Sequence, residues 1–156
     1  LSKYCSEILI NGYSDYFKTM ILRLFYPYGP GQDLGRFIPD LFYKIRNHQP
    51  ITAFNHGENP KINPIYIDDL VRIIKSLVDK DRPTLLNIGG LEEYTVEEIA
   101  EMVSRLERIK PVFDYVVNPK IKNWVGDISK LNSLNLTPII KLSEGLRKIH
   151  VYDKGK

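Results

Sequence analysis

The sequence predicts an α/β fold, in which short buried strands alternate with amphipathic helices. Two apolar runs, TMILRLF over residues 19–25 and TLLNIGG over residues 84–90, hold a single charge between them and are typical of strands buried on both faces. Segments with apolar residues at helical spacing, such as RFIPDLFYKIRNH over residues 36–48, lie between and after them. This alternation indicates an α/β protein with a parallel sheet.

Periodicity, capping residues and turn residues predict the individual elements. Residues 2–14 have Ile8 and Leu9 at helical spacing, and YPYGPGQD, dense in Pro and Gly, predicts a loop. Thr95 and Glu98 have the spacing of a helix capping box. The predicted helices cover residues 2–14, 36–48, 68–80, 95–107, 127–136 and 142–152, and the predicted strands cover residues 19–25, 50–54, 64–67, 84–90 and 112–116.

Three further local signals support these boundaries. Asp68 and Asp69 begin a predicted helix, where carboxylates favour the helix dipole and can cap the first turn. The polar stretch NHGENPKIN over residues 55–63 predicts a loop. A turn at Thr137-Pro138 separates the last two helices.

The composition is that of one globular domain with its own core. The chain has 156 residues, of which 43% are hydrophobic and 26% are charged. The formal net charge is +3, and the basic residues are scattered, with no stripe of them interleaved with aromatics. We therefore expect no nucleic-acid partner, whereas an anionic small molecule fits this charge.

Cysteine use and hydropathy indicate a soluble protein of a reduced compartment. Cys5 is the only cysteine, which excludes an internal disulfide, and its place in a helix with apolar periodicity predicts a small core residue. No apolar run approaches the length of a membrane span, and no signal peptide is visible. We therefore expect a cytoplasmic chain without a membrane partner.

The predicted sheet has too few strands within this sequence. Residues 19–25 and 84–90 have the pattern of central strands, which need a partner on each edge because an unpaired buried backbone group is costly. The sequence supplies few parallel neighbours for them. We therefore expect these strands to belong to a larger sheet.

Several motifs in chain order resemble the C-terminal half of the extended short-chain dehydrogenases/reductases, the NAD-dependent nucleotide-sugar epimerases and dehydratases. These motifs are LSKYCSE, LRLFYPYGPGQ, NPKINPIYIDDLV, LNIGG with YTVEEIAEMV shortly after it, and GDISKLNSLNLTPIIKLSEGLRK. The resemblance implies part of a Rossmann-type parallel sheet plus a small α/β substrate-binding domain. Residues 1–35 would then be the tail of the NAD-binding domain, and residues 36–156 mainly the substrate-binding domain, with residues 64–90 returning to the Rossmann sheet.

Ser2 and Lys3 match the end of the family's catalytic signature, Tyr-x-x-Ser-Lys. Residues four apart on a helix share a face, and a nearby ammonium favours the phenolate form of tyrosine, which then acts as a general base or acid. The resemblance implies that Lys3 is catalytic and also holds the nicotinamide ribose. The tyrosine of the signature would fall two residues before Leu1, outside this sequence.

The glycine-rich dinucleotide fingerprint is also absent from this sequence. By resemblance the cofactor is NAD or NADP, and we expect it to be bound mainly by an N-terminal half that this sequence lacks. The isolated chain is therefore predicted to be inactive.

Phe25, Tyr26 and Pro27 end the first predicted strand, where open α/β sheets place their ligands. The resemblance implies that these residues contact the cofactor and that Tyr26 also contacts the phosphates of the substrate. The family commonly has Asn at the position of Tyr26. A role of Tyr26 as an aromatic packing residue is the alternative.

The resemblance implies further substrate contacts along the chain. Lys61 matches the position of a basic residue that clamps the diphosphate. Arg36 and Phe37 resemble the family's substrate loop, and the alternative for Arg36 is a surface charge. Thr52 and Phe54 match a strand whose residues flank the nucleobase in the family, and the alternative for Phe54 is a core residue. Trp124 lines either the site or the core. The predicted substrate-binding residues are Tyr26, Arg36, Phe37, Thr52, Phe54, Lys61 and Asn123, and no metal site is predicted.

The sequence therefore predicts the C-terminal, substrate-binding portion of a nucleotide-sugar epimerase or dehydratase, similar to UDP-glucose 4-epimerases. Its partner would be a nucleotide-diphosphate sugar, and the resemblance implies a homodimer formed through the first helix. Two alternatives stay open. One is a non-catalytic remnant or ligand-binding module of the same fold, and the other is a nucleotide-sugar reductase.

Overall fold

The computed structural model describes residues 2–54, 59–78, 85–117 and 122–155, and within them the chain forms six helices and eight strands. The helices are α1 (Ser2–Gly12), α2 (Phe37–Arg46), α3 (Ile67–Leu77), α4 (Val96–Glu107), α5 (Ser129–Ser133) and α6 (Leu142–Lys154). The strands are β1 (Ile21–Leu24), β2 (Pro27–Tyr28), β3 (Pro50–Phe54), β4 (Lys61–Ile62), β5 (Ile65–Tyr66), β6 (Leu85–Ile88), β7 (Tyr94–Thr95) and β8 (Val112–Val116). The predicted α/β fold is confirmed.

The strands of the described chain pair two by two. The pairs β1 with β6, β2 with β5 and β3 with β8 are parallel, and β4 with β7 is antiparallel. In the first pair Ile21 lies beside Leu85, and Leu24 lies beside Ile88. The carboxyl ends of β1 and β6 therefore meet at one edge.

The prediction that residues 19–25 form a strand buried on both faces is wrong in length and in burial. The strand covers Ile21–Leu24, and Leu24 is 45% exposed. Among the residues that the structure describes, only β6 pairs with β1. One edge of β1 therefore has no other described strand beside it.

The larger of two hydrophobic clusters lies between α2, α4 and α6. Helix α2 contacts α4, and α4 contacts α6, so that the apolar stripes of three helices meet. Burying one such side chain stabilises the fold by about 1.5–3 kcal/mol. The buried members are Tyr28, Ile38, Leu41, Phe42, Ile45, Ile51, Ile62, Tyr66, Ile99, Ala100, Val103, Leu142, Leu146 and Ile149.

The smaller cluster joins α3 and α5 to the sheet strand β6. Helix α3 places Leu70, Ile73 and Leu77 on its buried face. The buried members of this cluster are Ile65, Leu70, Ile73, Leu77, Leu86, Ile88, Ile128, Leu131 and Leu136. Strand β5 contributes to both clusters, Ile65 to the smaller one and Tyr66 to the larger one.

Helix α1 buries none of its residues. It ends at Gly12, two residues earlier than predicted, and its apolar side chains Ile8 and Leu9 are 54% and 66% exposed. The prediction that Cys5 is a core residue is wrong, because the helix that carries Cys5 has no buried face. A bidentate ion pair ties the helix to β1, with Arg23 Nη2 lying 2.6 Å from Glu7 Oε2.

The capping box at the start of α4 is confirmed. The backbone N–H of Glu98 donates to Thr95 Oγ1 at 3.2 Å, and the backbone N–H of Thr95 donates to Glu98 Oε2 at 2.8 Å.

The predicted helix 127–136 covers only Ser129–Ser133, and Asn135 follows it with a left-handed φ of 57°. That conformation cannot continue an α-helix.

The prediction that Asp68 and Asp69 cap α3 is wrong. The N-cap residue is Tyr66, whose side chain makes no capping hydrogen bond. Asp69 is 1% exposed and accepts hydrogen bonds from the backbone N–H groups of Ile139 and Ile140, at 2.9 and 2.7 Å. Its structural role is therefore to tie α3 to a distant segment.

The two-residue strands β2 and β4 lie where the sequence predicts loops, and β7 covers Tyr94, which is in no predicted element, and Thr95, the first residue of a predicted helix. Two residues are too few to show the alternation that predicts a strand. Parts of other predicted elements, residues 55–58, 79–80 and 84, lie outside the described residues.

Within the described chain, no helix has the length and apolarity to cross a membrane, and no group of three acidic, His or Cys side chains is placed to hold a metal ion.

Candidate functional site

A cleft of about 560 Å³ opens where β1 passes through β2 into α2. It is formed by the end of β1, the glycine-containing connection that follows β2, and the first turn of α2. Its lining residues are Tyr26, Pro27, Tyr28, Gly31, Gln32, Asp33, Gly35, Arg36, Phe37 and Ile38. Four of the residues predicted to bind ligands, Tyr26, Pro27, Arg36 and Phe37, thus share one cleft.

The backbone of Tyr26 is held from two sides. The N–H of the preceding residue, Phe25, donates to Ile88 O at 2.8 Å, and the N–H of Ile65 donates to Tyr26 O at 3.2 Å. The φ of Tyr26 is 46°, in the left-handed region that bulky residues rarely adopt. Such a conformation costs about 1–2 kcal/mol and persists only where the surroundings enforce it.

The Tyr26 ring packs edge-on against Phe37, the first residue of α2. The ring centroids lie 6.0 Å apart, and the ring planes are inclined at 72°. Burial raises the pKa of the Tyr26 phenol above its ordinary value of 10. The phenol is therefore neutral at physiological pH and can donate a hydrogen bond into the cleft.

Arg36 is the N-cap residue of α2 and is exposed at the rim of the cleft. Its backbone is extended, and its side chain forms no hydrogen bond or ion pair with any residue in the described part of the chain. A guanidinium next to a helix N-terminus makes a positive region, since the terminal N–H groups also carry partial positive charge. This rim suits an anionic group.

The connection between β2 and α2 contains residues that the sequence did not single out. Gly31 and Gly35 have left-handed φ values of 75° and 88°, which glycine adopts without strain. Gln32 lines the cleft, and its Nε2 donates to Pro27 O at 3.2 Å. The density of Gly and Pro in this stretch predicts a loop, but no local signal predicts that the loop lines a cleft.

Lys61 and Asn123 lie beside each other, away from this cleft. The backbone N–H of Lys61 donates to Asn123 Oδ1 at 3.0 Å, and the N–H of Trp124 donates to Lys61 O at 2.8 Å. Trp124 is 64% exposed and is therefore not a core residue. The segment at 123–124 thus runs along β4, with Lys61 exposed beside it.

Thr52 and Phe54 lie on β3, and neither lines the cleft. In the parallel register with β8, Thr52 lies beside Asp114 and Phe54 beside Val116. Thr52 is exposed and Phe54 is half-buried, outside both core clusters. The structure therefore places these two residues apart from Tyr26 and Arg36.

Lys3 and Phe25 lie outside the set of residues that line the cleft. Lys3 is exposed on α1, and its ammonium has no hydrogen-bond or ion-pair partner within the described chain. Phe25 is half-buried and follows β1 directly. Phe25 is thus next to β1 in the chain, and Lys3 lies on α1, the helix that the Glu7–Arg23 ion pair ties to β1.

Comparison with known proteins gives a family match and several relatives. The model of the family described as "NAD dependent epimerase/dehydratase family" matches residues 1–89. The chain is 30% identical over 139 residues to UDP-glucuronic acid decarboxylase 1 of Arabidopsis thaliana, a match that covers 85% of this chain and 31% of the relative. It is 31% identical over 120 residues to dTDP-4-dehydro-6-deoxy-D-allose reductase of Streptomyces bikiniensis, with coverage of 70% and 36%.

A solved structure agrees with this match. UDP-glucuronic acid 4-epimerase from Bacillus cereus, crystallised in complex with NAD, superimposes with a TM-score of 0.78 at 28% identity. The match covers 95% of this chain and 48% of that protein. The chain thus spans less than half the length of each of these three proteins.

Proposed function

This chain belongs to the NAD dependent epimerase/dehydratase family, and on that premise we propose that it is the sugar-nucleotide-binding part of a nucleotide-sugar epimerase or dehydratase. The membership in the extended short-chain dehydrogenase/reductase family, predicted from collinear motifs, is confirmed by the family match. The substrate class, the reaction and the role of each residue belong to the proposal.

The observation that carries the proposal is the convergence of Tyr26, Arg36 and Phe37 on one cleft. Their side chains supply a hydrogen-bond donor, a guanidinium and an aromatic ring. A guanidinium binds phosphate oxygens through two parallel hydrogen bonds, and the phenol can donate a further one. These groups suit the diphosphate of a sugar nucleotide, whose base can lie against an aromatic ring.

Lys61 and Asn123 form a second element of the proposed site. The Lys61 ammonium is a compact charge on a flexible side chain, which can reach an anion without a fixed geometry. The hydrogen bond from the Lys61 backbone N–H to Asn123 Oδ1 fixes the backbone from which this side chain extends. Thr52 and Phe54, which neighbour each other on β3, are proposed to contact the base from their own strand.

The residues around the end of β1 fit one end of a dinucleotide cofactor. Phe25, Tyr26 and Pro27 are half-buried and uncharged at the carboxyl end of β1, a setting that suits a planar nicotinamide ring. The Lys3 ammonium, which has no partner within the described residues, suits the ribose hydroxyls. When bound, NAD would supply hydride-transfer chemistry at the sugar ring. These four residues are proposed to hold that end of the cofactor.

We expect the isolated chain to be inactive, since this sequence contains neither the glycine-rich fingerprint nor the tyrosine of the Tyr-x-x-Ser-Lys signature. In the whole protein, Lys3 would stabilise the phenolate of that tyrosine. The exposed apolar residues of α1, Tyr4, Ile8 and Leu9, support a homodimer formed through this helix, because several large apolar side chains on one helix are seldom all left uncovered. The expected compartment is the cytoplasm.

Isothermal titration of the whole protein with UDP-glucose tests the proposed function. We expect saturable binding that the Arg36→Ala variant weakens by about tenfold, the loss of about 1.4 kcal/mol that one charged contact to a phosphate supplies. Arg147→Ala is the matched control, because Arg147 is an exposed arginine on α6 away from the cleft. No heat of binding with UDP-glucose, UDP-glucuronic acid or a dTDP-sugar would overturn the proposal.

A nucleotide-sugar reductase is the second candidate. The observation that favours it is the 31% identity to the dTDP-4-dehydro-6-deoxy-D-allose reductase. The reductase and the epimerase use the same kind of binding cleft but differ in their net reaction. Incubation of the whole protein with NADH and a keto-sugar nucleotide distinguishes them, since only a reductase consumes NADH in proportion to product.

A further inference from the structure

Asn63 lies between the two core clusters. It directly follows Ile62, a member of the larger cluster, and Ile65 of the smaller cluster comes two residues later. Asn63 is only 2% exposed, although its side chain is a polar amide. A buried amide is retained only where its donors and acceptors are satisfied, so its partners define its role.

The amide of Asn63 pairs with the backbone of two glycines that are distant in sequence. The N–H of Gly126 donates to Asn63 Oδ1 at 3.0 Å, and Asn63 Nδ2 donates to Gly126 O at 3.0 Å. The same Nδ2 donates to Gly90 O at 3.3 Å, and the N–H of Gly90 donates to Asn63 O at 2.8 Å. Three chain segments are therefore joined at one residue.

Gly126 in turn supports the ring of Phe25. A Cβ atom added at Gly126 would lie 2.4 Å from Phe25 Cδ2, closer than side chains ever approach. Gly126 is not among the glycines with left-handed φ, which in the described chain are Gly31 and Gly35. The absence of a side chain at Gly126 is therefore required by the ring of Phe25 and not by the backbone conformation.

The segment that begins at Asn63 also holds the next residue of the site. The N–H of Ile65 donates to Tyr26 O, and the N–H of Phe25 donates to Ile88 O at the carboxyl edge of β1 and β6. This edge is the place where open α/β sheets bind their ligands. Asn63 is thus linked to Phe25 through Gly126 and to Tyr26 through Ile65.

We propose that Asn63 is a positioning residue, whose paired hydrogen bonds with Gly126 set the place of the Phe25 ring and of Tyr26 at the ligand-binding edge. This inference rests on the proposed function, since that function makes Tyr26 a ligand contact. Asn63 itself is buried and does not line the cleft. Its substitution therefore acts on binding only through the displacement of Phe25 and Tyr26.

Two variants alter the same arrangement in different ways. Asn63→Asp keeps the acceptor for the Gly126 N–H but loses the donor to Gly126 O and Gly90 O. Gly126→Ala keeps the Asn63 hydrogen bonds but places a methyl group where the Phe25 ring lies. The matched control is Asn47→Ala, which removes a hydrogen bond of the same kind, from Asn47 Nδ2 to Tyr43 O at 2.8 Å, that involves neither Gly126 nor the residues next to it.

The measurements are the affinity for UDP-glucose by calorimetry and the fluorine NMR resonance of a fluorinated phenylalanine placed at position 25 alone. We expect both variants to shift the resonance and to weaken binding by about tenfold, or about 1.4 kcal/mol, while the control changes neither. If the aspartate variant does not fold, Asn63→Ser, which also loses the paired hydrogen bonds with Gly126, takes its place.

The outcomes separate the inference from the proposed function. An unmoved fluorine resonance in the Asn63 variant, or a moved resonance with unchanged affinity, overturns the positioning role and leaves the proposed function in place. Absence of UDP-glucose binding by the whole wild-type protein overturns the proposed function, and the positioning role with it.

Discussion

The backbone N–H of Lys61 donates a hydrogen bond of 3.0 Å to the side-chain oxygen of Asn123, a residue 62 positions further along the chain. Both residues were predicted to bind the substrate, and neither lines the cleft at Tyr26. The side-chain oxygen of Asn123 is therefore occupied by the backbone of β4. The Lys61 side chain is exposed, and its ammonium makes no hydrogen bond or ion pair within the described residues.

The Asn123→Ala variant tests the contribution of this hydrogen bond. We expect the free energy of unfolding to fall by about 0.5–1 kcal/mol, since the bond is neutral and exposed. Chemical denaturation measures the change. Lys122→Ala is the control, because Lys122 is exposed and makes no such bond to β4, and its stability should stay within about 0.5 kcal/mol of the wild type. Equal stability of both variants would contradict the prediction.

The left-handed backbone of Tyr26 predicts that this tyrosine is retained for binding and not for stability. In Tyr26→Asn, relief of about 1 kcal/mol of backbone strain offsets the loss of an aromatic contact worth about 0.5–1.5 kcal/mol. We therefore expect a change in unfolding free energy of less than about 1 kcal/mol, together with weaker UDP-glucose binding in calorimetry. A stability loss of about 3 kcal/mol or more, as for an aromatic residue deleted from a core, would support the packing role instead.

Asp69 is expected to be among the most important polar residues for stability. Its carboxylate accepts two backbone N–H groups and lies 2.8 Å from Arg72 Nη2, while the side chain is 1% exposed. Asp69→Ala removes the carboxylate that all three of these groups contact. We therefore expect the free energy of unfolding to fall by about 3 kcal/mol.

The adjacent carboxylate provides the control for Asp69. Asp68 has a side chain that is 64% exposed, and its partner Lys148 lies 3.8 Å away. The Asp68→Ala variant should change the unfolding free energy by less than about 0.5 kcal/mol. Similar losses in the two variants, measured by urea denaturation, would contradict the assigned role.

Glu107 joins three helices through one carboxylate oxygen. Its Oε1 accepts from Arg46 Nη2 at 2.7 Å and lies 2.8 Å from His150 Nδ1, and its side chain is 6% exposed. Burial by itself would raise the pKa of Glu107, but the hydrogen bonds from Arg46 and His150 outweigh burial and lower it. Arg46 also pairs with Asp153 at 2.9 Å, so that α2, α4 and α6 are linked.

The lowered pKa of Glu107 predicts acid-sensitive stability. The unfolded chain binds the proton more readily than the folded chain, so the stabilisation is present above the unfolded pKa of about 4.5 and is lost as the pH falls through the folded value. We expect Glu107→Gln to be less stable at neutral pH and to lose less stability on acidification. Denaturation curves at neutral pH and below about pH 4 measure this difference.

A matched glutamate on the same helix controls for the general effect of acid. Glu101 is exposed, and its partner Arg105 lies 3.7 Å away. The Glu101→Gln variant should keep the pH dependence of the wild type. An unchanged pH dependence in Glu107→Gln would show that the buried pair does not contribute to acid sensitivity.

Much of the fold follows from local rules that act over a few residues. Helical periodicity predicts α2, in which Leu41 and Ile45 are buried, and the Thr95–Glu98 capping box predicts the start of α4. The collinear motifs likewise predict the family, because a family signature is a property of order and spacing in the chain. Cys5 shows the limit of such rules, since helical periodicity does not tell which face, if any, is covered.

The arrangement of the candidate site could not be read from the sequence in the same way. Tyr26, Arg36 and Phe37 share a cleft because the end of β1 and the start of α2 are packed side by side, and Asn63 meets Gly126 across 63 residues. The sequence by itself determined most of the longer elements, the family and the types of functional group. Only the tertiary structure decided which groups meet, because contacts between distant segments depend on how all the elements pack, while propensity and capping act within a few residues of each other.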